Sequence, residues 1–305
     1  MMRGFAVLWM VCLQVLEFFS MDFQMYAHTL FRILDFVNWL PTFMFVSGLS
    51  VWLLVEKRLS SGWPRWRIML HGLKRYISYI FLSLVLCVWC FSLQVFLQLN
   101  EILVAIGVYA LITLCLLLIF FGREFFFVPL SFLVYGLSFW FRSLLGFQIY
   151  PFYLILPFFF LGAFSAKLIV HRDFRRSILF EFLLLAIIAA LAFAGDNFSY
   201  AEDSLGFVIF NVFLTILLFL IVSKFQKTRI LNVLSFAGRN ALFFYFFHYA
   251  VWYKLAVSLG ISHSLDWNTS LIWTFLCVAA IFPLAYLTPR LTQYIKRMVS
   301  KPTSP

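Results

Sequence analysis

Charge is scarce in this chain, and acid is scarcer still: Asp and Glu number 12 among 305 residues, against 23 Lys and Arg. Charged residues make up 11% of the sequence and hydrophobic ones 64%, where a soluble domain carries about 25% and about 45–50%. That excludes a water-soluble globule, which cannot hide so many apolar side chains, whereas a bilayer solvates them outright. Cysteine is equally sparse. All five, Cys12, Cys87, Cys90, Cys115 and Cys277, sit inside apolar runs, so neither a disulfide framework nor a metal site is expected, and Cys87-x-x-Cys90 reads as packing. The net charge of +11 does not point to nucleic acid, because the cations lie in short stretches between apolar runs, as cytoplasmic loops do. The first run, after Arg3, lacks a small-x-small cleavage site and reads as a retained span.

What is present in quantity is apolar sequence in lengths of about 20 residues. Spans are expected near 4–21, 36–55, 76–98, 101–121, 124–141, 150–170, 177–195, 205–223, 239–258 and 269–288. The fold class is therefore all-α, a polytopic membrane bundle of about ten helices, in one domain over 1–300 with a disordered tail at 301–305. Residues 56–75, 171–176, 224–229 and the tail from Arg290 are basic, whereas 196–204 carries Asp196, Glu202 and Asp203 without a base. Placing the basic loops inside puts both termini in the cytoplasm. The link 122–149 has the thinnest charge signal, and a re-entrant fifth span there would reverse every later loop. No strong internal repeat is visible.

Polar groups within such spans are the functional candidates. Gln14 and Glu17, three apart, share a face of the first span; Glu17 is equally well explained as a solvated residue near the outer interface. His28, in the outer segment, has Asp35 nearby and suits a general base near neutral pH. Gly238, Arg239 and Asn240 open the ninth span, where free backbone N–H groups and a guanidinium suit a phosphate. His248 lies about 12 Å further along, lining a tunnel or packing against a neighbouring carbonyl. Gly48 and Gly162 suit close helix packing, and Pro41, Pro157 and Pro283 suit kinks.

Five stretches, RGFAVLWMV (3–11), HTLFRILDFVNWLPTFMFVSGLSVWLL (28–54), ILVAIGVYALI (102–112), LPFFFLGAFSAKL (156–168) and GRNALFFYFFH (238–248), together resemble the heparan-alpha-glucosaminide N-acetyltransferase-like family, within the wider acyltransferase family 3 group. The resemblance implies transfer of an acyl group, acetyl above all, from cytoplasmic acyl-CoA to a hydroxyl or amine of an extracytoplasmic sugar or glycan. It implies His28 as base or acyl carrier, and Arg3, Arg239 and Asn240 around the donor mouth. Gln14, Glu17 and His248 would line the tunnel. Many relatives carry a histidine where this chain has Gln14, and glutamine orients but cannot act as a base. Acyl-CoA is then a co-substrate, with no permanently bound cofactor. The expected partners are the bilayer, acyl-CoA and the glycan, with a homodimer allowed. The expected location is a bacterial inner membrane. Two other readings stay open: a ten-helix transporter of a small metabolite or lipid, and a catalytically inactive relative.

Overall fold

A computed structural model describes residues 2–23, 39–90, 102–145, 152–170, 183–184, 187, 209–210, 212–217 and 229–299. Helices account for nearly all of them: α1 (Met2–Phe19), α2 (Trp39–Ser60), α3 (Arg65–Cys90), α4 (Ile102–Phe120), α5 (Phe127–Leu145), α6 (Phe152–Val170), α7 (Arg229–Arg239), α8 (Ala241–Phe247), α9 (Lys254–Ser258) and α10 (Trp267–Val299). A 3₁₀ turn, Glu124–Phe126, precedes α5, and a π-helical segment, His248–Tyr253, joins α8 to α9. Arg65–Cys90, Ile102–Phe120 and Trp267–Thr288 are each long and apolar enough to cross a membrane. The protein is an all-α membrane protein. The spans expected at 177–195 and 205–223 fall mostly outside the described residues. The chain divides into two compact units, Met1–Phe31 with Lys227–Pro305, and Arg32–Gln226.

In the Arg32–Gln226 unit, side-chain register gives each helix its direction. Phe127 meets Phe160 and Phe125 meets Phe164, so later residues of α6 pair with earlier ones near α5, and the two are antiparallel. Gly72 lies against Leu114 and Gly107 against Ile80, which makes α3 and α4 antiparallel as well. By contrast α2 and α6 run parallel. A Cβ on Gly48 would collide with the carbonyl of Phe159, one on Gly162 with the carbonyl of Phe45, and Trp52 and Lys167, further along each helix, meet at one carboxylate.

That carboxylate is Glu124. Its Oε1 accepts from the indole Nε1 of Trp52 at 3.2 Å and from the backbone N–H of Gly122 at 3.0 Å, while Lys167 Nζ stands 3.4 Å from Oε2. The C-terminal ends of α2, α4 and α6 are thus tied together, so α5 and α6 must run away from that end and back. Within 122–149, Gly122–Phe126 therefore form a tight turn that leads into α5, which is antiparallel to α6. Buried donors that lose an acceptor cost about 1–3 kcal/mol each. Glu124→Ala is accordingly expected to lower unfolding stability by about 2–3 kcal/mol, mainly through the buried Trp52 indole, since Lys167 is half exposed and screened. Denaturant unfolding followed by tryptophan fluorescence measures this, and an unchanged midpoint would refute the tie.

Two expectations about loops need correction. The basic stretch 56–75 is mostly helical: α2 continues through Lys57 and Arg58, and α3 begins at Arg65. Between them Gly62 adopts φ 75°, its N–H bonding Leu59 O at 2.9 Å and the N–H of Trp63 bonding Arg58 O at 3.0 Å. This left-handed glycine cap ends the helix, and Pro64 follows to start the next. The basic tail likewise continues as helix to Val299. Charge marks where a chain meets water, not where a helix stops.

Candidate functional site

In the unit formed by Met1–Phe31 and Lys227–Pro305, α1 runs parallel to the continuous rod α7–α8–π–α9. Gly4 pairs with Gly238, Gln14 with His248 and Phe18 with Tyr253, a nearly constant offset along both chains. The crossing point is Gly4–Gly238, where a Cβ on Gly4 would overlap the carbonyl oxygen of Leu234. Only hydrogen at both positions lets the two backbones approach this closely. Arg3 and Arg239 each adjoin one of these glycines, so the structure brings the two residues to one end of the helix pair, with Asn240 beside them.

The premise that Gly238–Asn240 offers free helix N–H groups is overturned. Helix begins ten residues earlier, at Arg229, because α7 is amphipathic: Leu231 and Ala237 are buried while Asn232 and Arg239 are exposed. The N–H of Asn240 bonds Phe236 O at 3.1 Å, and its side-chain amide donates to the same carbonyl at 2.9 Å. What remains for an anion at this end is guanidinium charge.

About 13 Å along the rod from Arg239 lies His248, fully buried. Its Nδ1 is 3.1 Å from Phe244 O, and its Nε2 is 2.8 Å from the Oε1 of Gln14, whose Nε2 is 2.6 Å from the Tyr249 hydroxyl. Two acceptors facing both ring nitrogens would demand an imidazolium, an expensive species among apolar side chains. Exchanging the amide O and N of Gln14, which are sterically equivalent, removes the conflict. Nδ1–H then donates to Phe244 O, Nε2 accepts from the Gln14 amide, and the tyrosine hydroxyl donates to the Gln14 oxygen. Every group is satisfied with a neutral histidine. The free-base lone pair of Nε2 is directed at Gln14.

The ring is held from the other side by Phe18, stacked at 6.1 Å and 8°. His248 also opens the π-helical segment, within which Tyr249 and Tyr253 both pack against Phe18, at 5.5 and 5.0 Å. Such π segments recur at functional sites. Glu17, one turn beyond Gln14, is exposed and interacts electrostatically with His263. Sequence reading passed over His263, although it lies in a segment expected outside. Its backbone takes φ 52° and its N–H bonds Phe18 O at 2.9 Å. Nearby, Asp266 caps α10 by accepting from the Thr269 N–H at 3.1 Å, and the hydrogen bonds to Thr269 hold its carboxyl below the usual range. His28 and Asp35 lie outside the described residues.

Gln14 and His248 thus meet at mid-helix, Arg3 and Arg239 share one end, and Glu17 and His263 share the other. A family model described as an acyltransferase domain matches residues 1–288, nearly the whole chain. No curated protein and no solved structure matches it. The match is to the wider of the two groups that the sequence resembles, and the narrower heparan-alpha-glucosaminide N-acetyltransferase-like assignment is not supported by it. With apolar spanning helices and this match over residues 1–288, the chain belongs to acyltransferase family 3 and is a membrane acyltransferase.

Proposed function

We propose that the protein takes an acyl group, acetyl above all, from acyl-CoA on the cytoplasmic side of a bacterial inner membrane and delivers it to a hydroxyl or amine of an extracytoplasmic sugar. The observation that carries this reading is the close backbone approach of Gly4 and Gly238, which brings the neighbouring positions Arg3 and Arg239 to the same end of a helix pair whose middle holds a histidine. Guanidinium groups pair with phosphate oxygens, often bidentately, and the phosphates of CoA are the part of the donor that stays in water. In the reaction the acceptor oxygen or nitrogen bonds to the thioester carbonyl carbon, the C–S bond breaks, and the CoA thiolate leaves. The acceptor proton goes to a base. His28, seven residues before Asp35, is one candidate base or transient acyl carrier, and His248, at the middle of the helix pair, is the other.

The transporter reading loses ground to the family match. The inactive-relative reading is favoured by one specific observation, that Gln14 occupies His248 Nε2. Calorimetric titration of acetyl-CoA into the purified protein separates the readings. Saturable binding is expected, weakened about tenfold, or ~1.4 kcal/mol, in Arg239→Ala. Absence of saturable binding to folded protein would sink the acyl-CoA assignment.

A further inference from the structure

The turn between α2 and α3 gathers charge that the acyl-transfer reading does not use. Residues 56–75 hold six Lys and Arg and one acid, Glu56. The guanidinium carbons of Arg58 and Arg67 lie 4.1 and 4.4 Å from the centre of the Trp63 ring, and His71 approaches the same ring edge-on at 6.1 Å. The two like charges can therefore be no further apart than the sum of those two distances. Cation–π attraction offsets part of their repulsion. Among the described residues, neither arginine is in an ion pair with a carboxylate. These two cations share one indole at a capped turn and, among the described residues, have no carboxylate partner, which leaves their charge available to an anion.

The neighbouring surface says which anion. Immediately beside Arg67, Trp66 is 68% exposed, and Leu70, Leu73 and Ile77 continue the exposed apolar stripe at helical spacing into the membrane-crossing length of α3. Arg67, Lys74 and Arg75 lie along the same stretch of helix as this stripe, and mixed cationic and apolar side chains suit the headgroup layer, where a phospholipid offers its phosphate and the upper part of its acyl chains together. A soluble phosphate has no use for the stripe. Tryptophan at the junction is the side chain that favours this depth.

We propose that the α2–α3 hairpin binds the phosphate of an anionic phospholipid, with Arg58 and Arg67 on its oxygens and the Trp66–Ile77 stripe along its acyl chains. The test is native mass spectrometry of the whole protein released from mixed micelles of phosphatidylcholine and phosphatidylglycerol. Wild type is expected to retain phosphatidylglycerol preferentially, and Arg58→Gln/Arg67→Gln to lose about fivefold of that preference per arginine removed. Both arginines are on the surface, and an unchanged melting temperature confirms that the variant is folded. Lys57→Gln/Arg65→Gln removes the same charge away from Trp63 and is expected to lose much less. Equal retention by wild type and the Arg58/Arg67 variant would overturn the proposal, as would an equal loss in the Lys57/Arg65 control. Displacement of the lipid by free CoA would reassign the site to a soluble phosphate and overturn the lipid assignment.

Discussion

Alanine at Gly48 or Gly162 is expected to destabilise the Arg32–Gln226 unit by about 2–3 kcal/mol, the upper part of the range for overpacking. The reason is what the added methyl meets. At both positions it would run into a backbone carbonyl of the partner helix, Phe159 O or Phe45 O, and a carbonyl within a helix cannot rotate away. The helices would have to separate along the whole α2–α6 contact, which holds fully buried Phe45, Phe158, Phe159 and Phe160. In a bilayer that contact is maintained by close packing, since lipid removes the hydrophobic drive between helices. Gly136, in α5, gives the internal control. A Cβ there meets nothing within 4 Å, so Gly136→Ala should be neutral or stabilise by up to about 1 kcal/mol, the helix-propensity difference. Gly72→Ala falls between, because it meets the flexible end of Leu114. Thermal unfolding in detergent ranks the variants. Gly48→Ala melting with Gly136→Ala would show that the α2–α6 crossing is looser than its geometry.

The same glycines show how far the sequence carries. Gly48 and Gly162 read as close-packing positions, and the apolar runs at 4–21, 101–121 and 150–170 lie within a few residues of α1, α4 and α6. Long apolar runs are legible because each has one solvent to satisfy. The amphipathic α7 was not, because its polar face lowers the average that marks a span, and Arg239 consequently read as a helix start. Glu124 falls in the link at 122–149, whose thin charge signal gives no sign of a buried carboxylate. Its burial depends on Trp52 and Lys167, 72 and 43 residues away, and no local pattern announces such a meeting. The π-helical turn at His248–Tyr253 is hidden for a related reason: over six residues the period of an α-helix and of a π-helix cannot be told apart. Gln14 and His248 were each legible as polar residues in apolar spans. Their pairing across 234 positions was not.

That pairing yields the second large effect, and it separates packing from chemistry. Gln14→Leu removes the one partner of a fully buried ring nitrogen and is expected to cost about 1–3 kcal/mol, the penalty for an unsatisfied polar group. Gln14→Leu/His248→Phe replaces both partners with apolar groups of similar size. It should therefore be more stable than Gln14→Leu alone, because the penalty at the ring nitrogen belongs to the orphaned group and not to the lost bond, while the Tyr249 hydroxyl loses Gln14 equally in both. If hydrogen bonding were itself the source of stability, the double variant would be the weaker of the two, and unfolding curves for the three proteins decide the point. A helix pair in which His248→Phe, at a fully buried position, relieves the cost that Gln14→Leu alone imposes has little structural need for that histidine. Acyl transfer then reports what it is kept for. The double variant is expected to stay folded and lose about 10²-fold or more in turnover, the contribution of a positioned proton acceptor, with Gln14 swinging aside to expose Nε2. Full turnover in a folded double variant would make His248 a packing residue and leave the proton to His28.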